Sequence, residues 1–137
     1  MGCATTQDVY GTVAKTRFGT ALALGDVNGD GYADVLVGAP KDDDTVSRLV
    51  DSGSVTVYSG DGLSMIGTPF YGATAKAYAG TAVAADDVDG DGNADIVIGA
   101  PNDDENSTNK DTGSVKVLQH RPHTFDGKIR HEKIAVW

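Results

Sequence analysis

Asp26-Val27-Asn28-Gly29-Asp30-Gly31-Tyr32-Ala33-Asp34 runs without a break into Val35-Leu36-Val37-Gly38-Ala39-Pro40. The same design returns as Asp87-Val88-Asp89-Gly90-Asp91-Gly92-Asn93-Ala94-Asp95, followed by Ile96-Val97-Ile98-Gly99-Ala100-Pro101. In each copy, oxygen-bearing side chains stand at relative positions 1, 3, 5 and 9 with glycines between them. A hard divalent cation such as calcium takes many oxygen ligands in a flexible cage, and glycine allows the tight turns that bring near neighbours onto one ion. The pattern therefore predicts two calcium loops, one with Asp26, Asn28, Asp30 and Asp34, the other with Asp87, Asp89, Asp91 and Asp95.

Competing calcium loops fail on the same residues. An EF-hand needs a bidentate Glu at position 12 and a helix after it, whereas position 12 here is Val37 or Ile98 inside a β-branched run. Thrombospondin-type repeats share the acidic core but depend on disulfides, and the single cysteine, Cys3, cannot form one within the chain.

Asp26 maps onto Asp87 with an offset of 61, and the same offset carries Tyr10-Gly11 onto Tyr71-Gly72, Lys15 onto Lys76 and Gly19 onto Gly80. Gly53-Ser54-Val55-Thr56-Val57 reappears as Gly113-Ser114-Val115-Lys116-Val117, one residue closer. A fixed period carrying several strands marks an architecture whose units bury their faces against neighbours. Within one period, strands are expected over Phe18 to Val27, Ala33 to Gly38, Gly53 to Tyr58 and Ser64 to Tyr71, the last containing Pro69 and so suited to an edge. Four strands joined by turns describe one propeller blade. The fold class expected is all-β, with about two four-stranded antiparallel blades.

Glycine is abundant at 18 residues, and few stretches show helical spacing. The net charge of −9 argues against nucleic acid and anionic membrane surfaces, which would repel the chain. Much of that charge lies in the two loops, and the rest of the acidic residues after Gly-Ala-Pro, namely Asp42, Asp43, Asp44, Asp103, Asp104 and Glu105, read as solvated loop residues. No apolar run reaches the length of a membrane span and no secretory apolar core is present, so an exported form would have lost its signal peptide. Met1-Gly2-Cys3-Ala4-Thr5-Thr6 fits a loose myristoylation pattern, with Cys3 open to a second acyl chain, and Gly2-Cys3 also suits a bacterial lipoprotein start; an unstructured leader is the plainer reading. Asn106-Ser107-Thr108 is a glycosylation sequon.

Phe18-Gly19, the acidic loop and Gly38-Ala39-Pro40 together resemble the FG-GAP repeat of integrin alpha-chain β-propellers, over about residues 9 to 119. The resemblance implies that the Tyr32 carbonyl joins Asp26, Asn28, Asp30 and Asp34 as a calcium ligand, and the Asn93 carbonyl joins Asp87, Asp89, Asp91 and Asp95. It also implies that each loop joins the first and second strands of its blade. Ala79-Gly80 departs from the family's Phe-Gly, which removes the aromatic ring at the second blade. The layout expected is a leader over 1–7, a first blade with a preceding outer strand over 8–72, a second blade over 73–119, and a tail or edge strand over 120–137.

Catalytic readings find no support in the motifs. His131-Glu132 begins a zincin string, but Ala135 stands where the second histidine is required. His120 and His123 lie in a polar, Pro-containing stretch without further ligands. The expectation is a non-catalytic, extracellular or cell-surface module binding two calcium ions and presenting loops to a protein or glycan, as in adhesion; the alternative is an accessory propeller portion of a secreted hydrolase or phospholipase. Propellers close with 4 to 8 blades. Two blades therefore imply either a homo-oligomer or a piece of a larger propeller.

Overall fold

A computed structural model describes residues 6–119. Among these residues seven strands form two antiparallel sheets: β1 (Ala21–Gly25), β2 (Asp34–Ala39), β3 (Ser54–Tyr58) and β4 (Phe70–Tyr71) in one, β5 (Ala82–Asp86), β6 (Asp95–Ala100) and β7 (Ser114–Leu118) in the other. Strand order follows chain order in both sheets, and neither closes on itself. The all-β, blade-like fold is as the repeat predicts. Among the described residues no helix is long and apolar enough to cross a membrane.

The repeat is visible strand by strand. Ala21 pairs with Gly38 and Gly25 with Asp34 in the first sheet, while Ala82 pairs with Gly99 and Asp86 with Asp95 in the second. Each acidic loop is therefore the connection between the first two strands of its sheet. Alternation sends Ala23, Leu36, Val55, Val57 and Phe70 of the first sheet to one side, where they meet Val83, Ala85, Ile96, Ile98 and Leu118 of the second. The hydrophobic core is this seam. Leu36 and Ile98 are both 0% exposed within it, so each sheet supplies the cover that the other needs. Small residues on the inner strands allow close approach. A Cβ added at Gly25 would stand 2.8 Å from the Cβ atoms of both Ala85 and Ala94.

Several expected boundaries move. The strand expected over Phe18 to Val27 begins only at Ala21, because Arg17 (φ 59°) and Gly19 (φ 89°) form a turn closed by the Thr20 N–H on the Arg17 carbonyl. The fourth strand, expected over Ser64 to Tyr71, shrinks to Phe70–Tyr71 plus an isolated bridge between Met65 and Tyr58. Gly67 at φ 69° turns the chain away and Pro69 has no N–H to offer the ladder. Asp8 to Val13 forms no strand, and Tyr10 is 77% exposed there. The second sheet has three strands among the described residues, where four were expected; the tail or edge strand expected over 120–137, with His120, His123 and His131, lies outside the described residues, as do residues 1–5 with Cys3.

Candidate metal centre

Each loop folds by the same set of Asx-type hydrogen bonds from backbone to side chain. In the first, Asp26 Oδ1 accepts from the Gly29 N–H at 2.7 Å and Oδ2 from the Gly31 N–H at 2.8 Å. Asn28 Oδ1 accepts from Asp30 N–H, and Asp30 Oδ1 accepts from Tyr32 N–H, both at 2.8 Å. The second repeats this with Asp87 accepting from Gly90 and Gly92, Asp89 from Asp91, and Asp91 from Asn93. Gly31 and Gly92 take φ of 88° and 93°, which β-carbon-bearing residues adopt only at a cost. The spacing of one acidic or amide residue every second position thus winds the chain around a common centre.

The ninth residue closes each ring. Asp34 and Asp95 are both 0% exposed, and their Oδ2 atoms accept from Val27 and Val88 N–H groups at 3.0 Å. Asp34 Oδ1 also accepts from the Gly60 N–H at 3.0 Å, tying the loop to the turn after β3. In the second loop, Asp87, Asp89 and Asp95 each bring a carboxylate oxygen within 4.8 Å of the others. Two oxygens on opposite sides of a calcium ion with ligand distances of 2.3–2.6 Å stand about 5 Å apart. Three oxygens inside that limit can therefore share one ion, and the all-oxygen donor set suits a hard cation. Asp91 stands outside this trio; Asn93 donates to its Oδ1 through both N–H and Nδ2–H, at 2.8 and 3.1 Å. Tyr32 and Asn93 lie at the matching positions, the Tyr32 ring being 59% exposed.

The two loops touch. The Ala94 N–H donates to the Asp26 carbonyl at 2.8 Å, and a Cβ on Gly29 would meet Asn93 Oδ1 at 2.7 Å.

One acidic residue read as solvated proves to be buried. Asp103 is 5% exposed; its Oδ1 accepts from Thr74 Oγ1 at 2.7 Å, its Oδ2 accepts from Ser114 Oγ at 2.6 Å, and Lys116 Nζ lies 3.7 Å from Oδ2. Burial pushes the carboxyl up, but the two hydroxyls, Lys116 and the Asp104 N–H outweigh it and hold it below its usual 3.8. Lys116 also stands 5.3 Å from the Phe70 ring centroid, so the cluster bridges the sheets. Its counterpart Asp42 accepts from Ser54 Oγ at 2.7 Å. The repeated Asp and the Gly-Ser that follows it 11 or so residues later were the available signal. Phe18 packs edge-on against Tyr58, ring centroids 6.3 Å apart, whereas Ala79 and Leu118 stand at these positions of the second unit, so the aromatic pair is not repeated there.

Residues 18–58 and 79–118 each match the family model described as FG-GAP repeat. The chain belongs to the FG-GAP repeat family. Among its relatives, integrin alpha-V of Gallus gallus is 37% identical over 83 residues, 61% of this chain and 7% of that protein. Integrin alpha-3 of Cricetulus griseus is 33% identical over 69% of this chain and 9% of that protein. Phosphatidylinositol-glycan-specific phospholipase D of Mus musculus is 34% identical over 88% of this chain and 14% of that protein. The chain thus spans 7% to 14% of the length of these curated relatives. Both FG-GAP matches contain an acidic loop whole, which places the two rings at corresponding positions of the family's repeat.

Proposed function

We infer that this chain is a calcium-binding, non-catalytic FG-GAP propeller module of an extracellular or cell-surface protein, built of units over 8–72 and 73–119, with loops available to a protein or glycan partner. The observation that carries the reading is the convergence of Asp87, Asp89 and Asp95 oxygens within 4.8 Å. Like charges held that close repel, and a bound divalent cation would convert the repulsion into cross-links. In this reading the first ion is held by Asp26, Asn28, Asp30, Asp34 and the Tyr32 carbonyl, the second by Asp87, Asp89, Asp91, Asp95 and the Asn93 carbonyl.

Similarity to the phospholipase D of Mus musculus over 88% of the chain favours a second reading, an accessory propeller portion of a secreted hydrolase. Sequencing the surrounding gene separates the two, since an attached catalytic domain belongs only to the second. Metal dependence is tested by melting the chain in millimolar calcium and in chelator. A higher melting temperature in calcium, reduced by Asp87→Ala, is expected; equal temperatures would remove the metal from the reading.

A further inference from the structure

The sequon Asn106-Ser107-Thr108 plays no part in the metal centre. The chain's other asparagines, Asn28, Asn93, Asn102 and Asn109, each have an aspartate two residues on, so Asn106 alone is followed there by a hydroxyl. An Asn-X-Ser/Thr triplet with X other than Pro is an acceptor of N-linked sugar when it lies on the surface of an exported protein.

The triplet stands at the tip of the connection between β6 and β7. The Glu105 and Asn106 N–H groups donate to the Asn109 carbonyl at 3.2 and 3.4 Å and close the tip. Asn106 Oδ1 accepts from the Thr108 and Asn109 N–H groups at 2.9 and 2.8 Å. The side chain is therefore held by its oxygen. Its Nδ2, the atom that would carry a sugar, donates no hydrogen bond among the described residues, and neither does the Thr108 hydroxyl. Residues 105–112 are all exposed, so a bulky substituent here displaces no packed side chain.

The first unit shows that packing against another sheet leaves such a tip uncovered. Its corresponding connection joins β2 to β3, and the second unit does pack against its root, where the Ala79 N–H donates to the Ser52 carbonyl at 2.9 Å. Thr45, Val46, Ser47 and Arg48 at its tip nevertheless stay exposed, Val46 at 92%. The tip projects past the contact. That connection reads Asp44-Thr45-Val46-Ser47 and has no sequon, so the triplet is not something the loop's fold demands.

Topology also keeps the tip away from the acidic loops. β6 begins at Asp95, which closes the second ring, and ends at Ala100, where the chain enters the connection that carries Asn106. At about 3.4 Å per residue, the strand puts roughly 17 Å between the ring and the root of that connection.

We propose that Asn106 is a site of N-linked glycosylation, receiving an oligosaccharide from a lipid diphosphate carrier. In the transfer, Nδ2 bonds to the anomeric carbon of the sugar as the bond from that carbon to the diphosphate oxygen breaks. The bonding pair leaves with the diphosphate, and one Nδ2 proton passes to a base of the transferase. The proposal rests on the extracellular reading and not on the metal.

The test has two arms. In the first, the full chain is produced behind a cleavable signal peptide in eukaryotic secretory cells. The secreted wild type is expected to carry one glycan. Peptide N-glycosidase in heavy-oxygen water should remove it and leave a labelled aspartate at position 106. Asn106→Gln and Thr108→Ala should abolish the modification, and Thr108→Ser should retain it. Asn106→Gln should keep the wild-type rise in melting temperature with calcium, which separates loss of sugar from loss of fold. Secreted wild type without sugar, or sugar that persists in Asn106→Gln, would overturn the proposal. The second arm applies the same labelling to protein from its natural source, where external protein with sugar on Asn106 is expected. Protein found only in the cytoplasm would overturn the extracellular reading and the proposal with it. Protein found outside the cell with Asn106 bare would overturn the proposal alone.

Discussion

The main-chain N–H of Ala94 donates a hydrogen bond to the carbonyl of Asp26 at 2.8 Å, so the end of the second acidic loop hangs from the first residue of the first. Asn93, next to it, presses its Oδ1 toward Gly29 while its Nδ2 holds Asp91 at 3.1 Å. A distortion of either loop must be felt by the other.

Gly29→Ala should therefore disturb both loops. At φ 77° an alanine is strained by about 1 kcal/mol, and its Cβ would displace Asn93 from the position that steers Asp91. Gly90→Ala carries similar strain with nothing within 4 Å of the new atom. Amide shifts followed through a calcium titration should weaken at Gly31 and Gly92 together in Gly29→Ala, but at Gly92 alone in Gly90→Ala. An unchanged Gly92 titration in the first variant would show the loops to be independent.

Charge should rank the two loops. The first has three carboxylates because Asn28 is neutral, and the second has four. More negative charge attracts a divalent ion more strongly. Asp89→Asn is expected to weaken the second site several-fold and Asn28→Asp to strengthen the first, both read by calorimetric titration. If the double exchange leaves the order of affinities unaltered, charge count does not set it.

Asp103 should give the protein an acid-sensitive seam. Its carboxyl is held below 3.8 in the folded state, so the stabilisation is complete above the unfolded value and drains away as pH falls from about 3.8 through the lower folded value. Asp103→Asn should flatten that part of the stability curve when calcium is absent. At neutral pH, Asp103→Ala should cost roughly 2–3 kcal/mol in urea unfolding, because the Thr74 and Ser114 hydroxyls and Lys116 lose their acceptor. A loss under about 0.5 kcal/mol would place the cluster among surface ion pairs.

Gly38 and Gly99 hold the same place in the repeat and should respond differently to alanine. At Gly38 the added Cβ would overlap the Gly80 main chain, forcing the seam apart at a cost of roughly 3 kcal/mol or more. At Gly99, where the nearest atom is the Ala82 Cβ at 3.3 Å, the change should stay within about 1 kcal/mol. Equal costs would mean that the Gly80 contact contributes little.

The strands and loops were legible because they depend on local chemistry: oxygen at alternate positions, glycine where φ is positive, and an apolar run behind Asp34 or Asp95. Asp103 was not, since its Asp-Asp-Glu neighbourhood has the composition of a wet loop. Its burial comes from Thr74 in the connection between sheets and from Ser114 and Lys116 on β7, partners distant in the chain that only the folded arrangement brings to it. The short β4 had its warning in Gly67 and Pro69, but how far two breakers shorten a strand is decided by the neighbour it pairs with. Tyr10-Gly11 repeats Tyr71-Gly72 in letters, yet only the latter finds a β3 beside it.

Gly80 seated over Gly38 also bears on how such genes change length. A tandem duplication of one 61-residue period would insert a blade that carries its own copies of the Gly80 turn and of the Gly38 position beneath it. No new surface has to be invented, and no old one is orphaned. Blade number can then drift by unequal exchange at little cost in fit, while a substitution at Gly38 is felt at once.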